Sequence, residues 1–336
     1  MKIVSTVSLG PQLRAIVERA APGASIVDRQ CRGNDEIVDL VRETGGCEVM
    51  FTFRVPPQAI GLAPQLRWVQ LLSAGADHLP RAELGHKVAV TTASGIHAAT
   101  MAEYTIASML AFAHKLHTLI RAQMNREWRR SGEFMSTVDT MRGRTLGAVG
   151  YGSIGRETAR IAQALGMRVL ALKRDPAARA DPGWMPAGLG DPDGHIPERF
   201  YGPGERREML AECDYVTVTL PLTEATRSFI GPSELAAMRP HAYLVNVGRG
   251  EVIDQGALVE ALRSGRLGGA GLDVFEREPL ERESPLWEME NTILTPHMSG
   301  SFKGYVAAAC ELFAENLRRF IANQPLLNRI DPALGY

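Results

Sequence analysis

Between Gly147 and Arg174 the chain reads GAVGYGSIGRETARIAQALGMRVLALKR, in which Gly150, Gly152 and Gly155 are spaced G-x-G-x-x-G. Such a turn alone says little, because glycine-rich turns are common. Here the strand-like RTLGAVG precedes it, a helical ETARIAQALG follows, and MRVLAL closes a βαβ unit of about 30 residues. Parallel strands need crossover connections, so the unit commits its part of the chain to an α/β sheet covered by helices. In that setting Gly150 permits the tight turn, Gly152 lets the backbone approach a pyrophosphate, and Gly155 lets the helix pack closely on the strand. Free amides of Ser153 and Ile154 at the helix start suit the anion.

The same alternation runs through most of the sequence. KIVSTV, ASIVD, CEVMFTF, RWVQLLS and VAVTTA read as strands, with helices over Pro11 to Ala20 and Asp35 to Arg42. From Met101 the periodicity predicts one long helix through Ile120, with Ile106, Met109, Leu110, Ala113 and Leu116 on one face. A second series follows: RTLGAVG, MRVLAL, DYVTVTL, AYLVNVG, GAGLDVF and NTILTPH, six strands with the glycine turn first. Val306 to Ile321 reads as a helix too short to be a domain, and it is expected to pack back on the first sheet. The fold predicted is α/β, with two Rossmann-like or flavodoxin-like parallel-sheet domains and an active-site cleft between them. One is discontinuous, residues 1–97 plus 298–336, and is assigned to substrate; residues 98–297 form the nucleotide domain. A length of 336 residues fits two cores. Asp175 to Gly204, with six prolines and six glycines in thirty residues, reads as a long surface loop.

A formal net charge of −1 gives no global field toward nucleic acid or an anionic membrane. Arg121, Arg126, Arg129 and Arg130 read as a solvated or interface helix, because aromatic interleaving beyond Trp128 is lacking. No apolar run reaches the length of a membrane span, and the four cysteines lack metal-ligand or disulfide spacing, so the reading is cytoplasmic, with no metal.

At the end of the second strand of the βαβ unit, an acid would accept hydrogen bonds from the adenosine ribose of NAD. Lys173 and Arg174 stand there instead. Cations can pair with a 2′-phosphate, so NADP is favoured. NAD stays open as the alternative, with Asp175 sliding in to serve the ribose.

Three further patches end predicted parallel strands, where open α/β sheets bind ligands: VNVGRG with Val247, Gly248 and Arg249; GLDVFEREP with Asp273 and Glu278; and LTPHMSG with His297 and Gly300. These motifs, N-x-x-R-G at Asn246 to Gly250, D-V-F-x-x-E-P at Asp273 to Pro279 and P-H-x-S-G at Pro296 to Gly300, resemble those of the D-isomer-specific 2-hydroxyacid dehydrogenase family, and the resemblance covers essentially the whole chain. It implies hydride transfer between a nicotinamide cofactor and a small D-2-hydroxy or 2-oxo acid. His297 would be the acid/base, Glu278 its partner, favouring the charged ring and holding it, and Arg249 the substrate clamp. Asp273 would accept from the nicotinamide carboxamide.

The resemblance also places Leu220, Pro221 and Thr226 on the adenine-side wall, and the amides of Ser73, Ala74 and Gly75 on the substrate carboxylate. Arg54, after CEVMFTF, is a further candidate for the cleft. His97 stands where many relatives have asparagine. A homodimer built around the long helix and RAQMNREWRR is implied. Two rival readings stay open: an NAD(P)-sensing, corepressor-like binding protein, and a dehydrogenase of another small anion such as formate or phosphite.

Overall fold

Short apolar runs become parallel strands buried on both faces. The computed structural model describes residues 1–331 apart from His86 and Pro182, and the chain divides into two compact units. Pro182 of the proline-rich stretch and residues 332–336 of the expected C-terminal segment therefore lie outside the described residues.

The first unit comprises Met1–Ile96 and the segment from Phe302 onward. Its strands β1 (Lys2–Ser5), β2 (Ser25–Asp28), β3 (Val49–Thr52), β4 (Trp68–Leu71) and β5 (Ala89–Thr91) form a parallel sheet in the order β2-β1-β3-β4-β5. Every residue of β3 and β4 is buried, so VMFT and WVQL, apolar apart from Thr52 and Gln70, lack the alternation of a half-exposed strand. The connecting helices are α1 (Gly10–Ala20), α2 (Asn34–Glu43), α3 (Pro57–Gly61) and α4 (Arg81–Leu84). Pro11, with its fixed φ and no amide to satisfy, starts α1.

The C-terminal helix, Tyr305–Ile321, packs on this sheet. The rings of Phe313 and Phe51 stack with centroids 4.5 Å apart, and Trp68 lies 5.3 Å from both Phe313 and Phe320. A buried polar chain fixes the register of that packing. Trp68 Nε1 donates to Thr91 Oγ1 at 2.9 Å, Thr91 to Gln70 Oε1 at 2.8 Å, and Asn316 Nδ2 to the same Gln70 oxygen at 3.0 Å.

The second unit is His97–Ser301. It holds α5 (Ala98–Ala113), α6 (Leu116–Met124), β6 (Thr145–Val149), α7 (Ser153–Ala164), β7 (Arg168–Leu172), β8 (Arg199–Tyr201), α8 (Arg206–Glu212), β9 (Tyr215–Val218), α9 (Pro232–Ala237), β10 (Tyr243–Asn246), α10 (Gln255–Arg263), β11 (Gly269–Leu272) and β12 (Thr292–Leu294). The parallel sheet runs β12-β11-β10-β9-β6-β7-β8, with the glycine turn leaving an interior strand, β6. The unit extends past the expected boundary at 297 because the Asp273 carboxylate holds the amides of Met298 and Ser299 at 2.8 and 2.9 Å.

Two expectations are corrected. The long helix is broken: Lys115 adopts a left-handed φ of 57° between α5 and α6. Leu116, beyond the break, therefore leaves the apolar face that Ile106, Met109 and Ala113 bury.

The stretch from Asp175 to Gly204 is not loop throughout. It contains β8, a seventh strand paired in parallel with β7 from Leu170↔Arg199 to Leu172↔Tyr201. The rest is tied down by side chains of the glycine turn and α7. Arg156, with none of its surface exposed, donates to the backbone oxygens of Asp191 and Arg179, pairs with Asp181 at 3.3 Å and lies over the Tyr151 ring. Asp191 accepts from Tyr151 Oη at 2.7 Å and from the amides of His195 and Ile196, while Glu157 Oε2 accepts from the Gly190 amide at 2.6 Å. Buried backbone groups that regular ladders would satisfy are met by side chains here.

Candidate active site

The glycine turn has the geometry its spacing implies. Gly150 has φ +101°, and a Cβ on Gly155 would stand 2.2 Å from the Gly150 oxygen, so neither position accepts a side chain. A Cβ on Gly152 would meet nothing within 4 Å, so the space above that turn is open to a pyrophosphate. Gly152 precedes the first turn of α7, whose amides face the same opening. The residues present thus fit a dinucleotide.

Four neighbouring strand ends supply the rest. After β9, Leu220 and Pro221 are half-buried, and Thr226 closes their turn by donating to the Pro221 oxygen at 2.6 Å while accepting from the Thr223 amide at 2.8 Å. After β10, Asn246 braces the turn of Val247, Gly248 and Arg249. Its Oδ1 accepts from the Gly248 amide at 3.1 Å, and its Nδ2 donates to the Arg249 oxygen at 3.0 Å. Arg249 is half-buried, with Nη1 donating to the Gly248 oxygen at 2.9 Å.

After β11 and β12, His297 Nδ1 meets Glu278 Oε2 at 2.7 Å, and Glu278 Oε1 accepts from the Phe275 amide at 3.1 Å. With Nδ1 committed, Nε2 is the nitrogen left to face a reactant. His297 itself sits at φ 50°, a backbone region that costs a non-glycine residue energy and is found where surrounding structure over-determines it. Asp273 supplies that determination. Its backbone oxygen accepts from the His297 amide at 2.8 Å, and its fully buried carboxylate accepts from the Met298 and Ser299 amides and from Thr295 Oγ1 at 2.6 Å. Three of about four acceptor positions on that carboxylate are therefore filled from within the loop.

Sequence reasoning missed three of these supports. Thr295 lies inside LTPHMSG but carries no signal of its own, and Tyr104, which meets Thr295 Oγ1 at 2.6 Å, comes from α5. Asn246 was read as part of a motif, without its bracing role.

The structure also separates Lys173 from Arg174. Lys173 Nζ turns to the backbone oxygens of Ala178 and Ala180, whereas Arg174 is exposed. Burial lowers the Lys173 pKa below the usual lysine value, and the charge of Arg156 adds to the effect. His97 is buried at the start of α5, and burial pushes its pKa down to about 4, so it is neutral near pH 7. Gly300 packs against its ring.

Ser73, Ala74 and Gly75 follow β4 in the first unit, in a turn where Ser73 Oγ donates to the Gly75 oxygen at 2.9 Å. Among the described residues no group of His, Cys, Asp or Glu side chains could hold a metal ion, and no helix is long and apolar enough to cross a membrane.

A family profile described as D-isomer specific 2-hydroxyacid dehydrogenase, NAD binding domain, matches residues 106–299. The chain is 34% identical over 286 residues to a glyoxylate reductase of Korarchaeum cryptofilum, covering 84% of this chain and 82% of that one. Among solved structures, a D-isomer specific 2-hydroxyacid dehydrogenase from Xanthobacter autotrophicus in complex with NADPH superposes with TM-score 0.78 at 29% identity, covering 100% of this chain and 99% of the other. An NADPH-dependent glyoxylate/hydroxypyruvate reductase from Sinorhizobium meliloti, in complex with NADP and sulfate, gives 0.79 at 25% identity with the same coverage.

Proposed function

The chain belongs to the D-isomer-specific 2-hydroxyacid dehydrogenase family, whose chemistry is NAD(P)-dependent, and on that premise we propose that it reduces small 2-oxo acids such as glyoxylate or hydroxypyruvate with NADPH. The carrying observation is the His297–Glu278 pair, 2.7 Å apart, which follows β12 and β11, beside the strand β10 that carries Arg249 at its end. When bound, the reduced nicotinamide supplies the hydride. As negative charge grows on the carbonyl oxygen, His297 Nε2 donates the proton, while Glu278 holds the ring through Nδ1. Arg249 offers a planar fork of donors to the substrate carboxylate, and the amides of Ser73, Ala74 and Gly75 are assigned to the same group. Asp273 keeps one acceptor position for the carboxamide and otherwise sets the His297 backbone.

Of the basic pair, Arg174 is assigned to the 2′-phosphate, and Lys173 to holding the segment that follows it. The first unit is assigned to substrate and the second to the nicotinamide nucleotide. We also propose a homodimer through the region after α5, where Met124, Trp128 and Met135 are 79%, 94% and 85% exposed.

The test follows loss of the reduced-nicotinamide absorbance with glyoxylate and hydroxypyruvate, once with NADPH and once with NADH. Faster oxidation of NADPH supports the proposal. Equal rates remove the cofactor preference, and no turnover with either nucleotide removes the substrate class. Sedimentation as a monomer at micromolar concentration would contradict the dimer.

A further inference from the structure

The first unit contains a cavity of about 730 Å³ that the catalytic assignment leaves unused. It lies beyond the C-terminal ends of β1 and β3, where the strand order reverses direction, the position at which open α/β sheets bind ligands. Thr6 lies at its floor; Arg32 and Asn34 come from the start of α2, Phe53 and Arg54 from the turn after β3, and His78 from the loop after β4.

The walls are tied together. Thr6 is 3% exposed; its hydroxyl donates to Thr52 Oγ1 at 2.8 Å, and its backbone oxygen accepts from the Cys31 amide at 3.0 Å. Thr52 Oγ1 in turn donates to the Arg54 oxygen at 2.6 Å and accepts from the Arg54 amide at 3.1 Å, and His78 Nε2 donates to the Phe53 oxygen at 3.0 Å. The backbones that carry both arginines are thus fixed against the β1 end.

The charge is one-sided. Among the described residues that line it, none is an aspartate or glutamate. Among the described residues, neither the Arg32 nor the Arg54 guanidinium has an ion pair or hydrogen bond, whereas most other arginines of the chain have one. Two acids, Asp35 and Glu36, open α2, and Glu36 spends Oε2 on the Arg32 amide at 3.1 Å. Arg32 and Arg54 are both exposed, and two guanidinium groups lining one cavity raise the local concentration of anions. A carboxylate or phosphate matches the guanidinium fork.

We propose that this cavity is an anion site that takes a second anionic group on the substrate. The substrate class is then a 2-oxo acid with a carboxylate or phosphate at its far end. This rests on the reductase reading, and a link within the unit supports it. The loop that carries Ser73, Ala74 and Gly75, assigned to the first carboxylate, continues directly into His78.

Turnover with NADPH is compared for 2-oxoglutarate and 2-oxopentanoate, which share a chain length and differ in a distal carboxylate against a methyl group. The expected result is a kcat/KM for 2-oxoglutarate at least about tenfold higher, with the ratio collapsing in Arg32→Met, Arg54→Met and the double variant. Absence of the preference, or a ratio unmoved by the substitutions, overturns the assignment to substrate.

Calorimetry with inorganic phosphate on the cofactor-free protein tests the site without turnover. Saturable binding, weakened at least about tenfold in a double variant whose melting curve is unchanged, is expected. No binding, or binding indifferent to the double substitution, overturns the anion site. Phosphate binding without a dicarboxylate preference points to a free anion and overturns the substrate assignment. Specific phosphate binding in a protein that turns over no 2-oxo acid supports the anion site and counts against the reductase reading instead.

Discussion

Glu278 bridges His297 and the backbone: Oε2 lies 2.7 Å from Nδ1 of the ring, while Oε1 accepts from the Phe275 amide at 3.1 Å. The carboxylate therefore cannot rotate without losing a bond, and the ring's orientation is inherited from β11. His297→Ala is expected to lower kcat by about 10² to 10⁴, the range for losing a general acid, with the NADPH Kd nearly unchanged. Glu278→Gln keeps a hydrogen-bonding partner without the charge and should cost about 10- to 100-fold in kcat. Steady-state rates beside fluorescence titrations of nucleotide separate the two effects. An unaltered kcat in the alanine variant removes His297 from the chemistry.

Asp273→Ala strips three donors of a buried acceptor at once. A loss of about 2 to 4 kcal/mol in unfolding free energy is expected, because buried donors left unsatisfied carry their full desolvation cost. Denaturant midpoints measure it. A stability within experimental error of the parent would show that water or the backbone replaces the carboxylate.

Arg174→Ser should raise the Kd for NADPH at least about tenfold and leave that for NADH within about twofold, since only the former has a phosphate for a guanidinium to meet. Lys173→Met should weaken both nucleotides together, because its ammonium holds the backbone at Ala178 and Ala180. Parallel losses in the serine variant would return Arg174 to the solvated surface.

Asp191 carries a pH prediction. Burial raises its pKa, but the Ile196 amide, the Tyr151 hydroxyl, the His195 amide and the charge of Arg156 together outweigh burial and hold it below the ordinary 3.8. A depressed folded-state value means that the stabilisation is complete above the unfolded pKa and is lost as pH falls through the folded one. The segment from Asp175 should therefore loosen only below about pH 4. Limited proteolysis against pH tests this, with Asp191→Asn cleaved already at neutral pH. Identical cleavage of variant and parent at every pH would remove Asp191 as the anchor.

The parts of the fold that were legible in the sequence are those where one residue type is physically required. Gly150 and Gly155 leave no room for a Cβ, and VMFT and WVQL do not alternate because both their faces are covered. The break at Lys115 was not legible, since it falls on a left-handed residue that is not glycine, between two stretches of good helix formers. β8 is three residues long and follows a proline-rich run, so its pairing with β7 gives no periodic signal. At the site, motif spacing put Arg249, Glu278 and His297 at strand ends, but Tyr104 reaches Thr295 across 191 positions, a distance over which local pattern carries no information. Arg156 is wholly buried, and an arginine in the first turn of α7 carries no sign of that in the sequence.

That burial has a consequence for modularity. Because Tyr151, Arg156 and Glu157 grip Asp191, Arg179, Asp181 and Gly190, the glycine turn and the segment after β7 are interlocked parts and cannot be exchanged one at a time. A chimera that grafts a relative's shorter connection here would strand a guanidinium in the interior. The unit of transplantation, and of inheritance, is the whole stretch from Tyr151 to Ile196.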